Sequence, residues 1–126
     1  MSLLLCSPKA SGPGERIRER LEASFHTECL EIFHCIETLS MRLRLPRKLP
    51  GAAVVVLCSR QDMLDIVAVE GLFSDLNTIL VLPDDEAGTL AKAHRIRPRF
   101  LAYADTDPEV VVAVLNKMMA AHSKKS

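Results

Sequence analysis

Short apolar segments alternate with helix-length polar stretches five times in this chain of 126 residues, and this alternation constrains the fold more than any other feature. The apolar segments are residues 2–6, 28–33, 52–57, 77–82 and 99–104. Strands that alternate with helices form a parallel sheet that is covered by helices on both faces. The sequence therefore predicts an α/β fold of the (βα)5 type, with three layers.

The apolar content of the five segments predicts their order in the sheet. The first, third and fourth segments are the most continuously apolar, as is typical of central strands that are buried on both faces. The second segment is interrupted by polar residues and is expected at one edge, with the fifth at the other edge. Because crossovers between parallel strands are right-handed, these positions give a doubly wound, five-stranded sheet of order 2-1-3-4-5.

Apolar residues at helical spacing predict helices over residues 15–25, 36–45, 61–73, 86–95 and 107–120. In the third helix, the residues expected to face the sheet are Met63, Leu64, Ile66 and Val67. The fifth helix has a clear start signal, since Asp107 is a favourable cap and Pro108 fits the first helical turn. Residues 121–126 are expected to form a frayed tail. The whole chain, residues 1–126, has the length of a single domain with its own core.

The composition excludes several classes of protein. A hydrophobic fraction of 48% excludes a disordered chain. The 16 basic and 16 acidic residues cancel, so neither a nucleic-acid partner nor a membrane partner is predicted. The absence of Trp and the single Tyr leave too little aromatic area for a flavin site, and no cofactor is predicted. The N-terminal apolar run is too short for a signal peptide, so a cytoplasmic location is expected.

Parallel strands end at one edge of the sheet, and ligands of such folds bind at that edge. Eight residues of the loops after the strands are expected there: Cys6, Ser7, Ser11, Gly12, Cys58, Ser59, Asp84 and Asp105. We refer to this region as the ligand edge. No further ligands converge on it from the rest of the sequence, so no metal is predicted.

The thiols and carboxylates of the ligand edge each allow two interpretations. Cys6 and Cys58 follow neighbouring strands and are either buried thiols or a pair with redox, metal-binding or nucleophilic chemistry. The carboxylates after the fourth and fifth strands either bind a cation or cap helices, with Asp84 or Asp85 capping the fourth helix. The basic residues near the end of that helix suit the negative end of its dipole.

The loop after the first strand, residues 6–12, contains the sharpest local motif, Cys-Ser-Pro-Lys-Ala-Ser-Gly. A cysteine between a strand and a helix can have a lowered pKa, and the loop can hold phosphate. The motif resembles the phosphocysteine loop of the B components of sugar phosphotransferase transporters, a resemblance that implies phosphotransfer with Cys6 as the nucleophile. The alternatives are a site for a small anionic ligand and a simple connector. Pro8 and Pro13 each remove an N–H donor from such a site.

The chain as a whole resembles a response-regulator receiver domain in its length, its number of strand–helix units and the layout of residues 90–101. The resemblance implies one receiver-like domain over residues 1–126 and a role in signal transduction. Receivers carry a phosphoacceptor aspartate after strand three, an acid pair after strand one, a Ser or Thr after strand four and a Lys after strand five. The residues at these positions are Cys58-Ser59, Cys6-Ser7, Pro83 and Ala104-Asp105. A thiol and a hydroxyl do not replace carboxylates as Mg²⁺ ligands, so neither Mg²⁺ binding nor phosphorylation is expected.

The fifth helix has more apolar surface than one buried face needs. Val112 and Met119 lie beside its main apolar stripe, and Tyr103 lies on the preceding strand. These three residues are expected to contact a protein partner or a second copy in a homodimer, unless the core stripe of the helix is simply broad. The function predicted from the sequence is a non-catalytic, receiver-like regulatory or interaction domain that docks through the fourth helix, the fifth strand and the fifth helix.

Overall fold

The computed structural model describes residues 3–7, 12–25, 30–44, 52–73 and 76–124, with the backbone alone for residue 13 and residues 119–124. The strands are β1 (Leu3–Cys6), β2 (Leu30–Phe33), β3 (Ala52–Val56), β4 (Thr78–Leu82) and β5 (Phe100–Tyr103). The helices are α1 (Pro13–Ser24), α2 (Ile36–Leu43), α3 (Arg60–Ala68), α4 (Ala87–Ile96) and α5 (Pro108–Lys124). None of the helices in this part of the chain has the length and apolar character that crossing a bilayer requires.

The five strands form one parallel sheet of order β2-β1-β3-β4-β5, which confirms the predicted fold class and strand order. Every residue of β1, β3 and β4 is buried, because helices cover both faces of these strands. All four residues of β2, and all of β5 except Ala102, are half-buried, as the edge positions require.

Two apolar cores lie on opposite faces of the sheet. Alternate residues of the strands point to opposite faces, so each strand contributes to both cores. Leu4 and Cys6 of β1 pack in the core that is covered by α2, α3 and α4, which we call the α2–α4 core. Leu3 and Leu5 pack in the core that is covered by α1 and α5, which we call the α1/α5 core.

Two helices end at different places from those predicted. The third helix stops at Ala68 rather than residue 73, and a short 3₁₀ helix (Glu70–Phe73) follows it. Val69 leaves helical geometry at φ −119° and ψ 26°, and the tighter turn then buries Phe73 in the α2–α4 core. The fifth helix continues to Lys124, four residues beyond the end predicted at residue 120, and fraying of the tail over residues 121–126 stays a prediction.

Two side chains have the opposite burial to the one predicted: one is exposed and the other is buried. Leu64 is 46% exposed, because Met63 and Ile66 take the sheet-facing positions of α3. Val112 is only 6% exposed and packs in the α1/α5 core, so the prediction that it contacts a partner is wrong for this residue. The broad apolar stripe of α5 is in large part a broad core stripe.

Candidate functional site

The ligand edge includes the topological switch point of the sheet, which lies between β1 and β3. At this point the strands that follow along the chain begin to be added on the other side of β1. The residues that leave the strands there remain bonded to their neighbours. The N–H of Ser7 donates to the Phe33 carbonyl at 2.9 Å, and the N–H of Leu57 donates to the Val81 carbonyl at 2.8 Å. The edge therefore begins as an extension of the sheet rather than as open loops.

The hydroxyl and carboxylate next to the switch point are used to cap α3. The Ser59 hydroxyl accepts a hydrogen bond from the N–H of Asp62 at 3.2 Å, and Asp62 Oδ2 accepts one from the N–H of Cys58 at 2.9 Å. This reciprocal pair closely resembles a capping box. Ser59 was expected at the ligand edge and lies there, but Asp62 was not predicted. The Ser-x-x-Asp spacing is the signal in the sequence that identifies it.

The carboxylate of Asp84 is also bonded within the chain. Its Oδ1 accepts a hydrogen bond from the N–H of Glu86 at 3.0 Å. The Thr89 hydroxyl, and then the Glu86 N–H, hold the pKa of Asp84 below its usual value. The cap residue of α4 is Glu86, without a side-chain bond, so the prediction that Asp84 or Asp85 caps the helix is wrong: Asp84 forms the turn before it. By contrast, Asp107 accepts from the N–H of Glu109 at 3.0 Å, as predicted for the start of α5.

Asp105 lies with Asp84 at a shallow cavity of about 510 Å³ between the ends of β4 and β5. Its other lining residues are Pro83, Asp85, Tyr103 and Ala104. Within the described ranges, no group of three or more His, Cys, Asp or Glu side chains is arranged to hold a metal ion. In the same part of the chain, every buried side-chain nitrogen and oxygen atom has a hydrogen-bond partner.

The two thiols of the ligand edge lie on opposite faces of the sheet. Cys6 is fully buried in the α2–α4 core, whereas Cys58 packs against the α1/α5 core. Burial raises the pKa of the Cys6 thiol to about 12, with smaller contributions from Cys35, Asp62 and Cys58. Such a thiol is protonated at neutral pH and is a poor nucleophile. Cys35 affects it more strongly than Cys58, the neighbour predicted from strand order.

Cys35 is the exposed member of the cysteines that the structure describes. It precedes α2, and its Sγ lies 3.4 Å from the Thr38 hydroxyl. Hydrogen bonds from the Thr38 side chain and backbone lower the pKa of Cys35. The sequence indicated Cys6 as the reactive thiol, but exposure and hydrogen bonding favour Cys35.

The loop between β1 and α1 is described only at its two ends. Ser11 lies outside the described residues, as do residues 8–10, so the predicted anion site at this loop stays a prediction. Gly12 has a φ of +82°, a conformation that favours glycine. A Cβ atom on Gly14 would lie 2.0 Å from Ser7 Oγ and 3.0 Å from Ser7 Cβ. The start of α1 therefore packs directly on the end of β1.

The surface predicted for a partner is described in part. Tyr103 is half-buried against the α2–α4 core, and its N–H donates to the Thr106 hydroxyl at 2.9 Å. Met119 lies in α5, and its side chain is outside the described residues. Val110, which was not singled out from the sequence, is 41% exposed in the first turn of α5.

Comparison with known proteins gives the fold and no family. No protein-family model matches the chain, and no curated protein matches it. One similar solved structure is the N-terminal domain of an uncharacterized protein from Wolinella succinogenes, with a TM-score of 0.74, 11% identity, and coverage of 100% of this chain and 98% of that chain. Another is a protein described as pilus assembly-related from Burkholderia pseudomallei, with a TM-score of 0.64, 16% identity, and coverage of 95% and 90%. At these identities the likeness shows a shared flavodoxin-like fold alone.

Proposed function

We propose that this chain is a non-catalytic regulatory or interaction domain of receiver-like layout. It docks a protein partner or a second copy of itself through α4, β5 and α5. The observation that carries the proposal is that polar groups of the ligand edge, Ser59, Asp62 and Asp84, are bonded to neighbouring backbone groups. Groups held in this way stabilise helix starts and turns and are not arranged around a substrate.

The chemistry of the strand ends supports the absence of a phosphoryl-transfer reaction. A Mg²⁺ site needs several oxygen ligands that converge on one point. The second residue after β3, Cys58, has a thiol, and the next, Ser59, has a hydroxyl that caps α3. The carboxylate nearest to them, Asp62, accepts the N–H of Cys58. The ligand edge thus lacks the acid pair and the phosphoacceptor that receivers use.

The alternative of thiol phosphotransfer receives no support from the position of Cys6. A phosphocysteine nucleophile needs an accessible thiolate. Cys6 has 0% exposure, and burial raises its pKa to about 12. A contact function remains the better explanation of this edge.

Apolar surface on β5 and at the start of α5 supports the proposed docking surface. β5 is an edge strand with half-buried Phe100, Leu101 and Tyr103, and an edge strand has backbone groups without a strand partner on its outer side. Val110 adds exposed apolar surface at the start of α5. The chain shares its fold with a protein described as pilus assembly-related, and a role in assembly agrees with a function based on protein–protein contacts.

The docking surface is tested with two matched substitutions of exposed apolar residues. Val110→Glu places a charge on the proposed surface, and Leu64→Glu places the same charge on α3 outside it. We expect Val110→Glu to weaken self-association, measured by sedimentation, about tenfold or more, because it buries an unpaired charge, while Leu64→Glu leaves it unchanged. Equal effects of the two substitutions contradict the assignment of the surface.

The absence of phosphoryl chemistry is tested separately. The full chain is incubated with acetyl phosphate and Mg²⁺, and its intact mass is measured. We expect no phosphate to be incorporated. Incorporation that depends on Mg²⁺ overturns the proposed function.

A further inference from the structure

The connection from α4 to β5 concentrates positive charge on the surface. Residues 94–99, which we call the basic segment, read His-Arg-Ile-Arg-Pro-Arg. The side chains of His94, Arg95, Arg97 and Arg99 are all exposed. The segment lies at the amino end of β5, because the N–H of Arg99 donates to the carbonyl of Thr78 at the start of β4. It is therefore at the opposite end of the strands from the ligand edge.

A cavity of about 500 Å³ lies between the basic segment and the 3₁₀ helix that precedes β4. Arg95 forms one wall and is fixed there by Glu70, whose two carboxylate oxygens accept from its guanidinium at 3.0 and 3.2 Å. Arg97 also lines the cavity. In the part of the chain that the structure describes, Arg97 and Arg99 are exposed and their side chains form no ion pair.

Arg97 adopts a backbone conformation that does not suit it. Its φ of 57° and ψ of 55° place it in the left-handed region, at the position after a helix where glycine is usual. An arginine is less favourable than glycine there, because its Cβ approaches the carbonyl oxygen of the next peptide. Within the described ranges, the side chain of Arg97 forms no ion pair or hydrogen bond that offsets this cost. A residue held in such a conformation is a candidate for an interaction outside the chain.

Stabilisation of the α4 dipole explains only part of the charge. His94 and Arg95 lie in the last turn of α4, where positive charge interacts favourably with the helix dipole. Arg97 and Arg99 lie beyond that turn, and the dipole effect decreases sharply past the last turn. Within the described ranges, two of the four basic side chains therefore have neither an ion pair nor a helix dipole to account for them.

We infer that the basic segment and its cavity bind a carboxylate-rich segment of a partner protein. This inference rests on the proposed function and names the chemistry of the partner. Guanidinium groups bind carboxylates through paired hydrogen bonds, which gives orientation as well as charge attraction. The partner segment bonds to Arg97, which lines the cavity, and to Arg99, two residues further along the basic segment, while the Arg95–Glu70 pair forms the cavity wall.

A protein segment fits this surface better than a nucleic acid. Nucleic-acid binding draws on many phosphate contacts, and single strands also stack on aromatic rings. The chain has no net charge, and among the described residues no Phe, Tyr or Trp lines the cavity. Glu70 adds a negative charge to the cavity wall. This charge repels the closely spaced phosphates of a nucleic-acid backbone more strongly than the carboxylates of a short peptide, which can be spaced away from it.

The inference is tested by titrating the full chain into a fluorescein-labelled hexaglutamate peptide and measuring fluorescence anisotropy at low salt. The test variant is Arg97→Asn with Arg99→Gln; asparagine tolerates the left-handed backbone, so folding is retained. The control variant is Arg18→Gln with Arg20→Gln, which removes the same charge from α1. We expect the test variant to bind about tenfold more weakly and the control to stay within about twofold of the unmodified chain.

Three results overturn the inference. They are no binding of the peptide by the unmodified chain, equal weakening in the two variants, and tighter binding of a single-stranded oligodeoxythymidine than of the peptide. None of them affects the proposed function, which depends on the response of self-association to Val110→Glu and on phosphate incorporation. Loss of peptide binding with the Val110→Glu effect intact therefore refutes the acidic partner alone.

Discussion

Both ends of the sheet carry polar side chains but use them differently. At the ligand edge, Ser59 and Asp62 bond to backbone N–H groups within their own helix start. At the amino end of β5, Arg97 and Arg99 point outward, and the first of them has an unfavourable backbone conformation. A polar group bonded inside the chain contributes to stability, whereas one left in solvent at some cost is available for a partner. We therefore propose that the carboxylates of a partner bind at the second end.

The largest effect expected at the ligand edge is a loss of stability at alkaline pH caused by Cys6. Burial raises the pKa of its thiol from 9.0 to about 12. Above pH 9 the unfolded chain loses this proton and the folded chain keeps it, so stability is full below pH 9 and decreases as the pH rises towards 12. We expect this thiol to reduce the free energy of unfolding by about 1.4 kcal/mol per pH unit, measured by urea denaturation.

The control for this prediction compares two cysteines. Cys6→Ala removes the alkaline slope that the buried thiol causes, although it also lowers stability at neutral pH by leaving a small cavity. Cys35→Ala leaves the slope in place, since Cys35 is exposed. Identical slopes in the unmodified chain and Cys6→Ala contradict the buried position of the thiol.

The next largest effect concerns the contact between α1 and the end of β1. In Gly14→Ala the new methyl group meets Ser7, whose Oγ and Cβ lie 2.0 and 3.0 Å from its position. We expect the free energy of unfolding to fall by about 1–3 kcal/mol, because the helix must move away from the strand. Gly88→Ala is the matched control, because a Cβ added at Gly88 would have nothing within 4 Å and alanine favours helix. Equal stability of the two variants contradicts the close packing at Gly14.

A smaller loss of stability is expected from breaking the cap of α3. Ser59→Ala removes the acceptor for the Asp62 N–H, and we expect a loss of about 1 kcal/mol in the free energy of unfolding. Asp62→Ala leaves the Cys58 N–H without this acceptor and is expected to cost about as much. Asp65→Ala, on the same helix, tests whether loss of any carboxylate is sufficient. If all three variants are equally stable, the polar groups of the ligand edge are not used as caps, and the contrast between the two ends fails.

The strands and their order were predictable because both depend on local patterns. Runs such as residues 52–57 are apolar without interruption only if both faces of the strand are covered. The cap formed by Asp107 was predictable for the same reason, since a cap interacts with its own first turn.

Features that depend on register were not predictable from the sequence. Cys6 pairs with Val55, so Cys58, three residues further along, has the opposite parity and points to the other face. The exposure of Leu64 depends on the rotation of α3 about its axis, and the burial of Val112 depends on how closely α5 approaches α1 and the sheet. These are tertiary distances that an apolar pattern does not contain. The sequence carries no signal of the left-handed conformation of Arg97, because such a position is usually occupied by glycine or asparagine.

The smallest effect is a gain of stability at the other end of the sheet. Arg97→Gly relieves the left-handed backbone strain, and we expect the free energy of unfolding to rise by about 0.5–1 kcal/mol, measured by thermal or urea denaturation. Arg99→Gly is the control at the same surface, since Arg99 has no positive φ. If Arg97→Gly is destabilising, the side chain of Arg97 stabilises the chain itself, and the contrast between the amino end and the ligand edge fails.

Backbone amide NMR of the isotopically labelled chain tests the central contrast most directly, by titrating the same sample first with Mg²⁺ and then with the hexaglutamate peptide. We predict that Mg²⁺ leaves the amides of Ser7, Cys58 and Asp84 unshifted, and that the peptide shifts the amides of residues 94–97 and of Arg99 in a saturable way. Saturable Mg²⁺ shifts at the ligand edge, with no response of residues 94–99 to the peptide, contradict the account.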